Sequence, residues 1–332
     1  MNQSASRPMV TIVIPNWNTQ RWLPGCLDGL QAQHFQEFRV ILVDNGSTDN
    51  SVALVRQRYP EVEIVSFPEN RGFAAAVNAG IQQADTEYVV LLNPDTVPQP
   101  DWLAHLVKTI EASPPEVGGL ASKMLSLSNP HMMDDAGDTL SWYGSARKRG
   151  GGQLAQGYIE AVEVFSVCAG AALYRRCFLN EVGGFDEGFG SYLEDVDLGL
   201  RGRLLGYRYL YVPDASILHQ SHGAGLARSR YVYLMTRNRL ALLVKNIPFK
   251  LLLKHSPRLL YGQFYFFLVY KKPFHSVAGT LSFLAALPRI LRERQVIQNR
   301  KRISNQALET MLSDDLGEPR LRDILKTKLQ CL

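Results

Sequence analysis

Val40-Ile41-Leu42-Val43-Asp44-Asn45-Gly46-Ser47-Thr48-Asp49 is an apolar run that stops at a carboxylate, an amide and a glycine. A short β-branched run bounded by turn formers reads as a buried strand. The Gly46-Ser47-Thr48-Asp49 turn then leads into a helix that ends near Tyr59-Pro60. The same unit recurs on both sides. Upstream, Val10-Thr11-Ile12-Val13-Ile14-Pro15 reads as a strand, and Thr19 is placed to cap a helix whose Leu23, Leu27 and Leu30 share one face. Downstream, Val62 to Val65 is a third strand, and Phe73, Ala76, Val77, Gly80, Ile81 and Ala84 recur at helical spacing before a fourth strand, Tyr88 to Leu92. Four strands alternating with three helices predict a parallel sheet of βαβ units.

Two further acidic turns follow. Leu92-Asn93-Pro94-Asp95 ends the fourth strand, and Glu194-Asp195-Val196-Asp197 opens a helix that stops at Gly206. A last strand, Tyr207 to Val212, precedes His219. Carboxylates where strands end predict a site along the carboxyl edge of an open sheet, where α/β folds bind ligands. Between these turns the rhythm changes after a helix near Trp102 to Ala112. Residues 126–160 are rich in Gly, Ser and Asp around Arg147-Lys148-Arg149-Gly150-Gly151-Gly152 and read as one long loop. Phe165 to Tyr174 reads as a strand, Arg175 to Val182 as a short helix, and Gly183-Gly184-Phe185-Asp186 as a turn.

The chain of 332 residues is long enough for one large domain or two modest ones. Its four cysteines (Cys26, Cys168, Cys177, Cys331) show no Cys-x-x-Cys spacing, which indicates neither a zinc knot nor a disulfide framework and fits a reducing compartment. No secretory signal is readable in the polar first nine residues. The net charge of +5 conceals a division: residues 223–302 carry sixteen Lys or Arg and one acidic residue, Glu293, leaving 20 basic against 30 acidic elsewhere. In the basic part, Leu259 to Tyr270 and Ser276 to Leu287 are apolar runs, both short of the roughly 20 residues that span a bilayer. The organisation expected is a flexible tail over 1–9, a catalytic domain over 10–222 with halves 10–115 and 116–222, a basic amphipathic helical segment over 223–296, and a polar helical tail over 297–332.

In order along the chain, Pro15-Asn16-Trp17-Asn18, Val43 to Asp49, Asn70-Arg71-Gly72-Phe73, Leu92 to Asp95, Gly184-Phe185-Asp186-Glu187, Glu194 to Leu198 and Arg237-Asn238 form a set. In this order the chain resembles the family 2 glycosyltransferases of GT-A fold, especially the bacterial rhamnosyltransferase-like members, over roughly residues 10–250. The fold implied is an α/β, Rossmann-like mixed sheet flanked by helices, with a helical membrane-associating segment at the C-terminus. The resemblance also implies an inverting transfer of a single hexose or deoxyhexose, with rhamnose from a dTDP donor as the sugar of the like members. The acceptor implied is a glycan or a lipid-linked glycan.

The donor contacts implied are Pro15, Asn16, Asn18, Asp44, Asn45, Arg71, Gly72, Asn93 and Asp95. Asp44 can accept from a pyrimidine N3–H or a ribose, or cap the next helix as an Asx turn. Arg71 beside Gly72 at a helix start offers a cation and free N–H groups to a diphosphate, or makes a surface ion pair. Asn93-Pro94-Asp95 stands where the family has Asp-x-Asp, so Asp95 is the one carboxylate at that turn, with His219 carried over as a second ligand for Mg²⁺ or Mn²⁺. Asp195 is the catalytic base implied, Glu194 and Asp186 the acceptor contacts. Glu194 would raise the pKa of Asp195 and a helix N-terminus would lower it. Asp197 and Arg201 read as an i,i+4 ion pair.

Neither Gly-x-x-x-x-Gly-Lys nor Gly-x-Gly-x-x-Gly follows the first strand, which argues against a P-loop or dinucleotide site. A glycoside hydrolase also pairs carboxylates but leaves the strand-end turns unexplained. A non-catalytic sugar-nucleotide-binding protein of the same fold is the rival reading, opposed by Asp44, Asp95 and Asp195 standing together. The basic segment, interleaved with Tyr261, Phe264, Phe266, Phe267 and Phe283, fits an anionic membrane surface better than nucleic acid. Ordinary packing of these helices is the other reading. A cytoplasmic enzyme, peripheral on the inner face of the cytoplasmic membrane, is expected.

Overall fold

The computed structural model describes residues 8–221, 227–319 and 321. Residues 1–7 of the expected tail, 223–226 of the basic segment, and 322–332 with Cys331 lie outside the described residues. The described residues form two compact units, one from 8–138 and 148–221, the other from 139–147, 227–319 and 321.

In the first unit, β1 (Val10–Asn16) turns Val10, Ile12 and Ile14 to one face and Val13 to the other. β4 (Tyr88–Leu92) divides in the same way, Tyr88, Val90 and Leu92 against Val89 and Leu91. Side chains alternate along a strand, so a continuous apolar run feeds two cores at once. The first core packs against α1 (Leu23–Gln31), α2 (Ser51–Arg58) and α4 (Trp102–Ala112). The second packs against α3 (Phe73–Gln83), α5 (Arg176–Val182) and α6 (Glu194–Leu204). β1 lies parallel between β4 and β2 (Phe38–Asn45), and β3 (Glu63–Phe67) extends the sheet parallel to β2.

On the other side of β4 the sheet turns mixed. β11 (Ala171–Arg175) runs antiparallel to β4 and to β6 (Val117–Ser126), β12 (Arg208–His219) is parallel to β6, and β10 (Val162–Val164) closes the edge antiparallel to β12. The carboxyl ends of β1, β2, β4, β6 and β12 and the amino end of β11 therefore share one edge. There β5 (Thr96–Pro98) pairs antiparallel with β12, His219 opposite Thr96.

Several local expectations are corrected. The stretch 126–160 is not a loop: it holds β7 (Met133–Asp135), which pairs with β6, and a ribbon of β8 (Asp138–Leu140) and β9 (Ala146–Lys148). Strands this short carry too little period to stand out from Gly and Asp around them. Phe165 to Tyr174 is interrupted, with β10 ending at Val164 and β11 starting at Ala171. Thr19 does not cap α1. The chain first makes a turn in which Thr19 O accepts from Trp22 and Leu23, and Thr19 Oγ1 donates to Asn16 Oδ1. The Asp197–Arg201 pair forms at 2.8 Å and is buried, and Arg201 also donates to Val182 O at 2.9 Å and Gly184 O at 2.7 Å.

The second unit is helical, with α7 (Arg228–Asn246), α8 (Phe249–Lys254), α9 (Ser256–Val269), α10 (Pro273–Arg300) and α11 (Asn305–Met311). Residues 139–147 are part of its core: Trp142 is 1% exposed and stacks on His255 at 3.7 Å. α10 packs closely on α7, since a Cβ on Gly279 would stand 2.6 Å from Tyr233 O. The helix runs through Pro288 for 28 residues, and its apolar stretch is mostly left uncovered. By length and composition α10 is long enough to cross a membrane, which corrects the expectation that neither apolar run reaches that length. A proline removes one backbone bond without ending a helix that is packed along its side.

Candidate functional site

The turns after β1 and β2 are built from one another. Asn16 Nδ2 donates to Asp44 Oδ1, Ser47 Oγ and Ser51 Oγ, each at 3.0 Å. Asn18, at φ 53°, accepts through Oδ1 from Thr48 N at 2.7 Å and Asp49 N at 3.3 Å. An asparagine tolerates that left-handed backbone, which is how a non-glycine residue can hold both turns. Pro15 lies in β1 opposite Val43. Asp44 is 5% exposed at the end of β2 and also accepts from Ser47 N, three residues on, at 3.4 Å, but it does not cap α2, whose N-cap is Asn50.

Asn45 turns to the 70–72 loop: its Oδ1 accepts from Arg71 N at 2.8 Å and its Nδ2 donates to Gly72 O at 3.0 Å. Its side-chain amide is thereby engaged in shaping the loop in front of α3. Gly72 has φ 91°, and a Cβ there would stand 3.0 Å from Gly190, so only glycine lets these two segments meet. Arg71 is half exposed, 3.8 Å from Glu187 Oε2 and 4.7 Å over the Phe67 ring, which is the ion-pair geometry. Asp186 caps the short turn Glu187–Phe189, accepting from Gly188 N at 2.8 Å.

At the centre of the edge, Asn93 N donates to Gly170 O at 2.8 Å and Asn93 O accepts from Thr96 Oγ1 at 2.6 Å. This holds the Asn93-Pro94-Asp95 turn against the start of β11. Strand pairing of β5 with β12 brings His219 Nε2 to 3.5 Å from Asp95 Oδ1, across 124 positions of chain. The other ring nitrogen, Nδ1, is 2.7 Å from Asp134 Oδ2. Burial pulls the His219 pKa down, but Asp134 and Asp95 outweigh it and lift the imidazole to about 9. Burial likewise opposes ionisation of Asp134, yet His219 and Lys148 hold its carboxyl well below the usual range.

Two ligand atoms that are neighbours around an octahedral ion with bonds of 2.1 Å stand about 3.0 Å apart. The Asp95–His219 gap of 3.5 Å lies close to that; the carboxylate oxygen suits Mg²⁺ or Mn²⁺, and the imidazole nitrogen suits the softer Mn²⁺ better than Mg²⁺. Among the described residues no group of three or more His, Cys, Asp or Glu is arranged to hold a metal, and a cation between Asp95 and His219 would need phosphate oxygens and water to complete its shell.

Asp195 stands on the same edge, at the N-terminus of α6. The chain enters this helix through Tyr192 (φ 70°) and Leu193 (φ 67°), consecutive non-glycine residues in the left-handed region. Such backbone is costly and persists at sites where the direction of a side chain matters. Asp195 Oδ1 accepts from Val196 N at 2.8 Å and Oδ2 from Ala169 N at 3.3 Å. Burial nonetheless raises its pKa above the ordinary carboxylate value, the backbone N–H groups and Lys148 pulling the other way. The contest between neighbours and helix terminus is thus decided by desolvation. Glu194 is 6% exposed and its pKa is raised well above its ordinary value by burial and by Asp195, and its Oε2 is buried without a hydrogen-bond partner among the described residues.

Sequence reasoning missed four residues here: Asp134, Asp135, Asp138 and Lys148. Lys148 Nζ donates to Asp134 Oδ2 at 2.7 Å, and Asp138 accepts from Ser166 Oγ at 2.8 Å. Asp135 is 1% exposed and is pushed up to about 7 by burial. The signal available was Asp134-Asp135-Ala136-Gly137-Asp138 itself, three carboxylates around a glycine inside a stretch otherwise read as loop.

A family model described as glycosyl transferase family 2 matches residues 11–183. The N-acetylglucosaminyl-diphospho-decaprenol L-rhamnosyltransferase of Mycobacterium tuberculosis is 31% identical over 242 residues, 60% of this chain and 75% of that protein. In fold, the chain is similar to GalNAc-T7 with UDP, GalNAc and Mn²⁺, with a TM-score of 0.59 at 15% identity. That match covers 72% of this chain and 48% of the other, about half its length. The mannosyltransferase of Pyrobaculum calidifontis in complex with GDP-Man and Mn²⁺ is matched with a TM-score of 0.52 at 19% identity, covering 92% of this chain and 84% of that one.

Proposed function

The chain belongs to glycosyl transferase family 2, and from that premise we propose that it is an inverting, divalent-metal-dependent enzyme that moves one deoxyhexose, rhamnose from dTDP-rhamnose, to a lipid-linked glycan in cell-surface polysaccharide synthesis. The observation that carries this reading is that Asp95 meets His219 on the same sheet edge that carries Asp195. A donor diphosphate and an attacking hydroxyl need a cation site and a base on one edge. The rhamnosyl donor and lipid-linked acceptor are supported by likeness to the mycobacterial enzyme, and a metal by the Mn²⁺ in the two structures of like fold.

In this reading Asp44 and Asn16 bind the nucleoside, and Arg71, released from its exposed pairing with Glu187, meets the diphosphate at the head of α3. Asp95 and His219 would hold Mg²⁺ or Mn²⁺. When bound, the cation supplies charge neutralisation for the departing diphosphate. Asp195 takes the proton of the acceptor hydroxyl as its oxygen attacks the anomeric carbon from the face opposite the nucleotide. Glu194, with a buried oxygen lacking a partner among the described residues, hydrogen-bonds the acceptor. Pro15, Asn18, Asn45, Gly72 and Asn93 shape the donor turns, and Asp186 the acceptor side.

The basic, aromatic second unit docks on an anionic cytoplasmic membrane face. Phe274, Val277, Leu281 and Leu284 lie along one exposed side of α10, 48% exposed or more. The test is a panel of nucleotide sugars with a polyprenyl-diphosphate N-acetylglucosamine acceptor, scored for nucleotide release and product anomeric configuration. Release from dTDP-rhamnose alone, dependent on added metal and on acceptor, is expected. Release from UDP- or GDP-sugars instead, or product with retained configuration, would overturn the corresponding part.

A further inference from the structure

Asp134 lies 85 residues from His219 in sequence and in no motif that drew attention to it. The two meet because β7, which carries Asp134, pairs with the end of β6, and β6 pairs with β12 up to His219. The carboxylate is 9% exposed and receives three donors: His219 Nδ1 and Lys148 Nζ on Oδ2, each at 2.7 Å, and Ser221 Oγ on Oδ1.

We infer that Asp134 is the positioning residue of the cation site, holding His219 by Nδ1 so that Nε2 is presented to the space beside Asp95. The two nitrogens of an imidazole point away from each other across the ring. A hydrogen bond that fixes one therefore fixes the direction and the protonation of the other, and histidines that bind metals commonly donate their second N–H to a carboxylate. Ser221 and Lys148 complete the arrangement. The hydroxyl occupies the second carboxylate oxygen, and the ammonium balances the charge so that Asp134 stays an acceptor. If Asp134 were only the partner of a structural ion pair, Lys148 would suffice, and the bond to a histidine that faces another carboxylate at 3.5 Å would have no role.

The inference rests on the reading of Asp95 and His219 as ligands, and the experiment separates the two. Full-length protein is titrated with Mn²⁺ in the presence of dTDP, with affinity read by electron paramagnetic resonance and histidine nitrogen coupling by pulsed methods on the same samples. Wild type is expected to show nitrogen coupling that His219→Gln abolishes. Asp134→Ala is expected to bind Mn²⁺ about 10- to 100-fold more weakly, with the nitrogen coupling reduced. Lys148→Met, which removes the ion pair and keeps the His219 bond, is expected to lose much less. Asp134→Asn keeps an oxygen for Nδ1–H, though a weaker acceptor, and is expected to fall between wild type and Asp134→Ala. That variant carries the test if the alanine does not fold.

Absence of nitrogen coupling in wild type would overturn the metal reading and this inference with it. Coupling present, with Asp134→Ala or Asp134→Asn at wild-type affinity, would overturn this inference alone. Equal losses in Lys148→Met and Asp134→Ala would do the same, because they would show a structural ion pair.

Discussion

Asp195 Oδ2 accepts a hydrogen bond from the backbone N–H of Ala169 at 3.3 Å, which ties the head of α6 to the segment that enters β11. The carboxylate is thus aimed by backbone on both sides, with Val196 N on the other oxygen at 2.8 Å. A carboxylate held in this way keeps its place when its chemistry is changed.

Asp195→Asn is nearly isosteric and retains an oxygen for one of these N–H groups. Transfer should fall about 10²-fold or more while donor affinity changes little, because only the proton acceptor is lost. Initial rates beside calorimetric donor titrations check this. Near-normal transfer would remove Asp195 from the role of base.

Asp135 makes stability depend on pH. Burial is the main cause that raises its pKa from 3.8 to about 7, with Lys148 and the Gly137 N–H opposing and the charges of Asp134 and Asp195 adding. The folded state thus keeps a proton that the unfolded chain releases. The stability so gained is fully present below pH 4 and is lost as pH rises through about 7. We expect Asp135→Asn, which keeps the oxygen that accepts from Gly137 N, to flatten this part of the profile by several degrees of Tm. Melting curves from pH 5 to about 8 decide it. Parallel wild-type and variant profiles would show that another group titrates.

Metal removal should act on donor binding before it acts on the fold. Asp95 is the one carboxylate of its turn, and the second side chain facing the same space is His219 at 3.5 Å. Titration with dTDP should weaken by at least tenfold when EDTA replaces Mg²⁺, and Asp95→Ala should show the weak value with either. Equal affinities with and without chelator would mean that the donor is held without a cation.

Membrane association should have a salt-sensitive and a salt-resistant part. Of the sixteen basic residues of 223–302, Arg239 and Lys245 are buried; exposed ones should attract anionic lipid, on the order of 1 kcal/mol for each one engaged, and salt screens that term. Phe274, at 86% exposure, and Leu281, at 61%, lie on the open side of α10 and are insensitive to salt once inserted. Flotation with anionic vesicles should be partly lost at high salt, and the remainder lost in Phe274→Ser with Leu281→Ser. Point changes serve better than truncation at 256, since Trp142 N donates to Ser313 O at 2.9 Å and Gly262 packs against Tyr143 O, contacts that truncation would remove. Intact protein left unbound by anionic vesicles at low salt would refute the association.

The sheet was legible because its signal is local: short apolar runs bounded by turn formers alternate with helical spacing, and Asp44, Asp95 and Asp195 each follow a hydrophobic run or open a helix within a few positions. The i,i+4 spacing of Asp197 and Arg201 was legible for the same reason, although nothing local could tell that both would be buried. Tertiary structure decided what depends on which strands become neighbours. The register of β12 with β5 and β6 brings His219 to Asp95, and the pairing of β7 with β6 delivers Asp134 to the same imidazole. It also gave residues 139–147 to the helical unit, where Trp142 stacks on a histidine more than a hundred positions away. These contacts are long-range hydrogen bonds and packing between short segments, and no period or turn within either segment encodes its partner.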